Sequence, residues 1–156
     1  MLQTRYVTKN QKTQLYLTGP MDEKAAKVLN DILPHMAKQV HIDFSEVEYF
    51  NSLGIRTWVN FLRILVDGRK VFYERCTMDL VQQINMMPIL SKGVEVLSFL
   101  AVFSCESCGH EQSALMDVSL GRKVLKEQML NQPCQSCKST LTPEEDPDSV
   151  LFFLQS

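Results

Sequence analysis

Hydrophobic and polar positions alternate over residues 4–8 and again over 14–18, which predicts two short strands around the polar turn 9–12. Gly19-Pro20 then reads as a break, and Asp22 and Glu23 stand where a helix N-terminus favours negative charge. A helix over about 21–33 would bury Ala25, Ala26, Leu29, Ile32 and Leu33, and Pro34 ends it. Residues 40–44 read as a strand. After Asn51-Ser52-Leu53-Gly54 the period turns helical: Ile55, Trp58, Val59, Leu62, Leu65 and Val66 share one face, and Asp67-Gly68 closes the run. A strand follows at 71–76, then a helix over 78–86 capped by Thr77 and stopped by Pro88. The longest apolar stretch, 94–103, broken by Glu95 and Ser98, reads as one last strand. The order β-β-α-β-α-β-α-β predicts an α/β architecture, a mixed sheet flanked by helices.

Charge changes this picture near residue 99. Residues 1–98 carry 12 Lys+Arg against 10 Asp+Glu, a net of +2; residues 99–156 carry 4 against 8, a net of -4. Four of the five cysteines fall in the second part. We therefore expect two domains, 1–98 and 99–156, joined by an apolar strand and not by a flexible linker. The first twelve residues lack the apolar core of a secretory signal, and no run of 18 apolar residues would span a membrane. The expected place is the cytoplasm, where thiols stay reduced and the cysteines need a purpose other than disulfides.

That purpose is written in Cys105-Glu106-Ser107-Cys108 and Cys134-Gln135-Ser136-Cys137, with 25 residues between the pairs. Each Cys-x-x-Cys turn sets two thiolates on one side of a loop, and two facing loops give the tetrahedral sulfur cage that zinc accepts. Strand-like pieces at 114–118, 124–125 and 149–154 would complete a small fold that resembles a zinc ribbon. One Zn(II) per chain is expected in a closed, structural site; an iron site of rubredoxin type uses the same ligands. His110 stands beside the cage as a neighbour to the ligands or an exposed residue. Four thiolates and one zinc add about -2 to the lobe's charge, which disfavours phosphate backbones. The lobe thus reads as a structural or protein-docking module.

The segment running from His41-Ile42-Asp43-Phe44-Ser45 through Asn51-Ser52-Leu53-Gly54-Ile55 resembles the signature of STAS domains, the family of bacterial anti-sigma-factor antagonists and related signalling modules. There a strand ending in Asp-Leu-Ser leads to a loop reading Asp-Ser-Ser-Gly-Leu and then a helix. The resemblance covers about residues 1–100 and implies a STAS-like fold that grips a protein partner, an anti-sigma factor or another signalling protein. In the family a partner kinase phosphorylates the second serine of the loop. Here Asn51 stands at the Asp position, Ser52 at the first Ser and Leu53 at the phosphoacceptor, so that switch is chemically closed. Ser52 is expected as a helix N-cap, with phosphoacceptor as its other reading.

On a helical wheel Phe61 and Ile64 fall off the core stripe near Thr57, with Arg56 and Arg63 on the other side. The expected partner surface is Asn51, Ser52, Leu53, Gly54, Thr57, Phe61 and Ile64; the competing reading packs this face on the metal lobe. No Gly-rich phosphate loop, nucleophile elbow or His-Glu-x-x-His is present, and His35 and His41 have no carboxylate partner evident from sequence. Cys76 ends a strand and reads as an inert core thiol. The chain is therefore expected to be a non-enzymatic signalling adaptor of a bacterial cytoplasm; the alternative is a nucleic-acid-associated zinc-ribbon protein.

Overall fold

In the computed structural model, which describes residues 1–154, the chain begins with a hairpin. Strands β1 (Gln3–Lys9) and β2 (Lys12–Met21) pair antiparallel, with Lys9 opposite Lys12. Asn10 and Gln11 turn the corner with φ of 53° and 61°, the left-handed pair that a two-residue hairpin needs. Gly19 and Pro20, expected as a break, instead lie inside β2 at an irregularity in its register. Pro20 is tolerated there because β1 begins only at Gln3, opposite Thr18, and does not pair with it.

Helix α1 (Ala25–Ile32) is shorter than expected and passes into a 3-10 turn, Leu33–His35, that contains Pro34. Strand β3 (Gln39–Phe50) is much longer than expected. Its polar second half hides the alternation in sequence, yet it continues to pair with β2 as far as Met21. Helix α2 (Ser52–Leu65), β4 (Lys70–Glu74), α3 (Met78–Met86) and β5 (Val94–Val96) complete a five-stranded sheet in the order β1-β2-β3-β4-β5. β2 through β5 are parallel. Successive right-handed crossovers in one direction set the helices on one face of the sheet. Phe44, Trp58 and Tyr73 fill the middle of that face, edge to face. Trp58 Nε1–H donates to the Tyr73 hydroxyl at 2.8 Å, and that hydroxyl donates to the Leu90 carbonyl.

The opposite face is a polar lattice. His41 Nδ1 meets Glu74 Oε2 at 2.8 Å, Gln14 donates to the other Glu74 oxygen at 3.0 Å, and Arg5 lies 4.0 Å over the Tyr16 ring. His41 therefore does have a carboxylate partner, 33 residues away in sequence.

The stretch 94–103 is not one strand. The chain changes sheets at Leu97: β5 ends the first sheet, and β6 (Ser98–Ser104) becomes the centre of a second, three-stranded sheet ordered β7-β6-β8. Its start still follows the first sheet, since Cys76 N–H donates to Ser98 O at 3.1 Å and Leu100 N–H to Cys76 O at 2.8 Å. β7 (Glu111–Asp117) and β8 (Thr142–Pro143) both run antiparallel to β6.

Two pieces expected as strands are helical. Val124 and Leu125 belong to α4 (Arg122–Leu130), which buries Leu125 and Met129 one turn apart. Residues 149–154 form α5 (Pro147–Val150) and a 3-10 turn, Leu151–Phe153; Asp146 caps α5 by accepting from Ser149 N–H at 3.1 Å, and Pro147 stands at its first position. This terminal segment clamps α3: the Asn85 side-chain amide donates to Ser149 O and Val150 O, and Phe153 meets Phe99 edge to face at 6.0 Å. Buried residues of both sheets form one continuous cluster from Leu2 to Leu151.

Candidate metal centre and docking crest

The four cysteines come from two loops of the same design. Cys105 follows β6, and its N–H donates to His110 O at 2.8 Å; Gly109 N–H donates back to Cys105 O at 2.8 Å. In the second loop Cys134 N–H donates to Ser139 O at 2.7 Å, and Lys138 N–H to Cys134 O at 2.9 Å. The residue four after the first cysteine is left-handed in each, Gly109 at φ 75° and Lys138 at φ 69°. Gln112 of β7 ties the loops together. Its side-chain amide donates to Pro133 O at 3.3 Å, and its Oε1 accepts from Gln135 N–H at 3.0 Å.

The sulfurs converge. All four lie within 4.8 Å of one another, with Cys105–Cys137 at 3.5 Å and Cys108–Cys134 at 3.7 Å. All are free thiols. Four sulfurs around one zinc, each bonded at about 2.3 Å, would stand about 3.8 Å apart, so the cage fits such an ion. Cys105 and Cys134 are buried, while Cys108 and Cys137 are exposed. The Ser139 hydroxyl and N–H hold the Cys137 thiol down at about 6. The Cys137 N–H likewise lowers that of Cys134. For Cys108 the His110 N–H pulls downward, but burial and the three neighbouring sulfurs outweigh it and hold the thiol up at about 11. Four thiolates in one cage repel each other, and a divalent cation removes that penalty. His110 is half-buried beside the cage, with Nε2 unpartnered.

The second candidate site is the loop between β3 and α2. Asn51, and not Ser52, caps α2: its Oδ1 accepts from Gly54 N–H at 2.8 Å. Ser52 is the first helical residue and is exposed. The Asn51 N–H donates to Met21 O at 3.2 Å, which pins the crest to the end of β2. From the other side Asp79 of α3 accepts from Phe50 N–H at 3.1 Å.

Phe61 is not a surface residue. It is 3% exposed and lies 5.2 Å from the Trp58 ring. The buried stripe is Gly54, Trp58, Phe61, Leu62 and Leu65, rotated from the expected one because Gly54 packs directly on the β2 backbone. Leu53 and Ile64 are 53% and 55% exposed with the cysteine-bearing lobe in place. Eleven residues apart, they lie within about 20° of one another around the helix and some 16 Å apart along it. Half-buried Thr57 and exposed Asn60 fall on the same line, and exposed Arg56 and Arg63 flank it. Asn60 is a member of this stripe that the wheel did not single out.

Cys76 is fully buried, and burial, then the charge of Asp43, pushes its thiol up. A thiol so placed is not a nucleophile. No helix is long and apolar enough to cross a membrane among the described residues.

Among solved structures, an anti-sigma factor antagonist from Mycobacterium paratuberculosis matches 62% of this chain and 85% of its own length, at 14% identity and a TM-score of 0.51. The anti-sigma factor antagonist SpoIIAA in its unphosphorylated form matches 47% of this chain and 71% of its own, at 14% identity and a TM-score of 0.36. A structure of Mglu matches 45% of this chain and 19% of its own, at 20% identity and a TM-score of 0.37. No family model and no curated protein matches the sequence. The likeness is one of fold: the five-stranded mixed sheet with its helices is STAS-like, and a cluster of four cysteines that could hold a metal ion stands beside it.

Proposed function

We propose that this chain is a non-enzymatic signalling adaptor of a bacterial cytoplasm, with a STAS-like part, 1–98, and a zinc-ribbon part, 99–156. It docks a protein partner of the anti-sigma-factor or kinase type on the crest Asn51, Ser52, Leu53 and Gly54 and on the stripe through Thr57 and Ile64. One Zn(II), held by Cys105, Cys108, Cys134 and Cys137, is structural, because four thiolates leave no open coordination position.

The observation that carries this reading is the exposure of Leu53 and Ile64 on a helix that is fixed at its start. Asn51 and Gly54 are both tied to the end of β2, so the platform is rigid before any partner arrives. A preformed surface loses little ordering entropy on binding. Leu53 cannot carry a phosphate, so occupancy is set by partner concentration and not by modification at that position.

The test is capture from a bacterial lysate, with the bound protein identified by mass spectrometry. Leu53→Asp with Ile64→Asp should abolish capture and leave the melting temperature within a few degrees of the parent chain. Full capture by a folded double variant would assign the partner to another surface. Elemental analysis should give about one zinc per chain, lost in Cys134→Ser; iron in its place would overturn the metal assignment.

A further inference from the structure

The edge of the first sheet opposite the crest collects positive charge. Strands β2, β3 and β4 enter there, and each carries a cation at or beside its first residue. Lys12 opens β2, Lys38 precedes β3, and Arg69 and Lys70 lead into β4. Lys9 adds a fifth from the end of β1, across the ladder from Lys12. Backbone bonds hold these strand heads in place: Gln39 N–H donates to Gln11 O at 3.2 Å and Lys70 N–H to Lys38 O at 2.8 Å. Neighbouring strands lie about 4.8 Å apart, so the five cations fall within roughly 15 Å. Like charges at that spacing repel, and a directly opposed Lys–Lys pair weakens the ladder it sits on.

No ion pair relieves the repulsion among the described residues. Their ion pairs are His41–Glu74, Arg75–Asp43 and Lys126–Asp148, none of which involves the five. Arg69 is anchored through its guanidinium to Met36 O and Leu65 O, both at 3.4 Å.

Two adjoining depressions open on this edge. One, about 470 Å³, is lined by Lys9, Lys12 and Gln14 among others; the other, about 560 Å³, by Lys38, Arg69 and Lys70. They share Asn10 and Gln39. Neither is lined by a carboxylate or an aromatic ring, and Val7 is the one apolar side chain between them. Cations neutralise phosphate, and side-chain amides donate to its oxygens. With no ring present, a nucleic-acid base has nothing to stack on. With no apolar wedge, a bilayer gains little beyond its headgroups.

We infer that this edge is a binding site for a soluble compound with several clustered phosphates, an oligophosphate. It lies at the far end of the strands from the crest, so it does not depend on the docking reading above.

The test titrates the zinc-loaded full chain with inorganic tripolyphosphate by calorimetry at 50 and 200 mM salt. Zinc content is measured afterwards, because condensed phosphates chelate metals. We expect saturable one-to-one binding that weakens about tenfold or more between the two salt concentrations. Lys38→Glu with Lys70→Glu should lower the affinity at least tenfold, while Arg122→Glu with Lys123→Glu on α4 should keep it within twofold. If the first pair fails to fold, Lys38→Gln with Lys70→Gln takes its place. Absence of binding at 50 mM salt, or equal binding by the Lys38 and Lys70 variant, would overturn the inference. Oligothymidylate binding more tightly than tripolyphosphate would make the edge a nucleic-acid surface instead, and tighter binding to phosphoinositide vesicles would make it a membrane one.

Discussion

A β-carbon on Gly54 would lie 1.7 Å from the carbonyl oxygen of Met21 and 2.4 Å from its carbon. No side chain moves out of the way, because the obstacle is backbone. Gly54→Ala must therefore push the start of α2 off the end of β2, and with it Trp58 and Phe61 in the core behind. Overpacking typically costs 1–3 kcal/mol, and against fixed backbone we expect about 3 kcal/mol or more. Urea unfolding of the metal-loaded chain measures it; a loss below about 1 kcal/mol would mean that the helix start is softer than it stands here.

Lys138 holds the left-handed position that Gly109 holds in the partner loop. A residue with a β-carbon pays about 1 kcal/mol or more in that conformation. Lys138→Gly should raise the stability of the metal-loaded chain by roughly 1 kcal/mol, less what glycine's extra freedom costs the folded state. Gly109→Ala should lower it by a similar amount. Thermal melts of the two variants should shift in opposite directions.

Cys76 should be silent toward thiol reagents. With metal bound, the chain should react slowly; after chelation, four of the five cysteines should titrate with Ellman's reagent, and the fifth only in denaturant. Peptide mapping should find that fifth thiol at Cys76. Rapid labelling of Cys76 in the folded chain would reopen it as a reactive group.

Metal capture should depend on pH through Cys137. Its thiol is held down at about 6, below its unfolded value, so the thiolate and its share of stability are present above the unfolded value and are lost as pH falls through about 6. Uptake of Co(II) by the metal-free chain, followed by its thiolate charge-transfer absorption, should stay fast to about pH 6 and slow below it. Ser139→Ala removes the hydroxyl donor and should move that inflection to higher pH. An unmoved inflection would assign the first captured thiolate to another cysteine.

The cysteine cage was legible in sequence because its spacing is local to two short loops. What holds it was not: Gln112 reaches Pro133 and Gln135 across 21 and 23 residues, and nothing in its neighbourhood marks it. His41 and Glu74 were hidden for the same reason. The α2 face was read about one residue out of phase, since a buried glycine adds no hydrophobicity to a wheel and Gly54 sets the true contact line. Val124-Leu125 and the stretch 149–154 show a different limit. Short apolar runs suit strand and helix alike, and the caps at Asp146 and Pro147 decide the second case. The alternation 40–44 marked only the start of β3, because the rest pairs through its backbone while carrying glutamates outward.

The hand-over at Leu97 leaves no slack between the two sheets. Ending the chain at Ser98 would take Phe99 away from Cys76 and uncover the side of α3 that the terminal segment now grips. Neither half is thus an interchangeable part, to be grafted onto another protein like a bead on a string. The first cysteine loop leaves directly from β6, whose own start is bonded to Cys76 at the rim of the first sheet, so a single strand sets how one half faces the other.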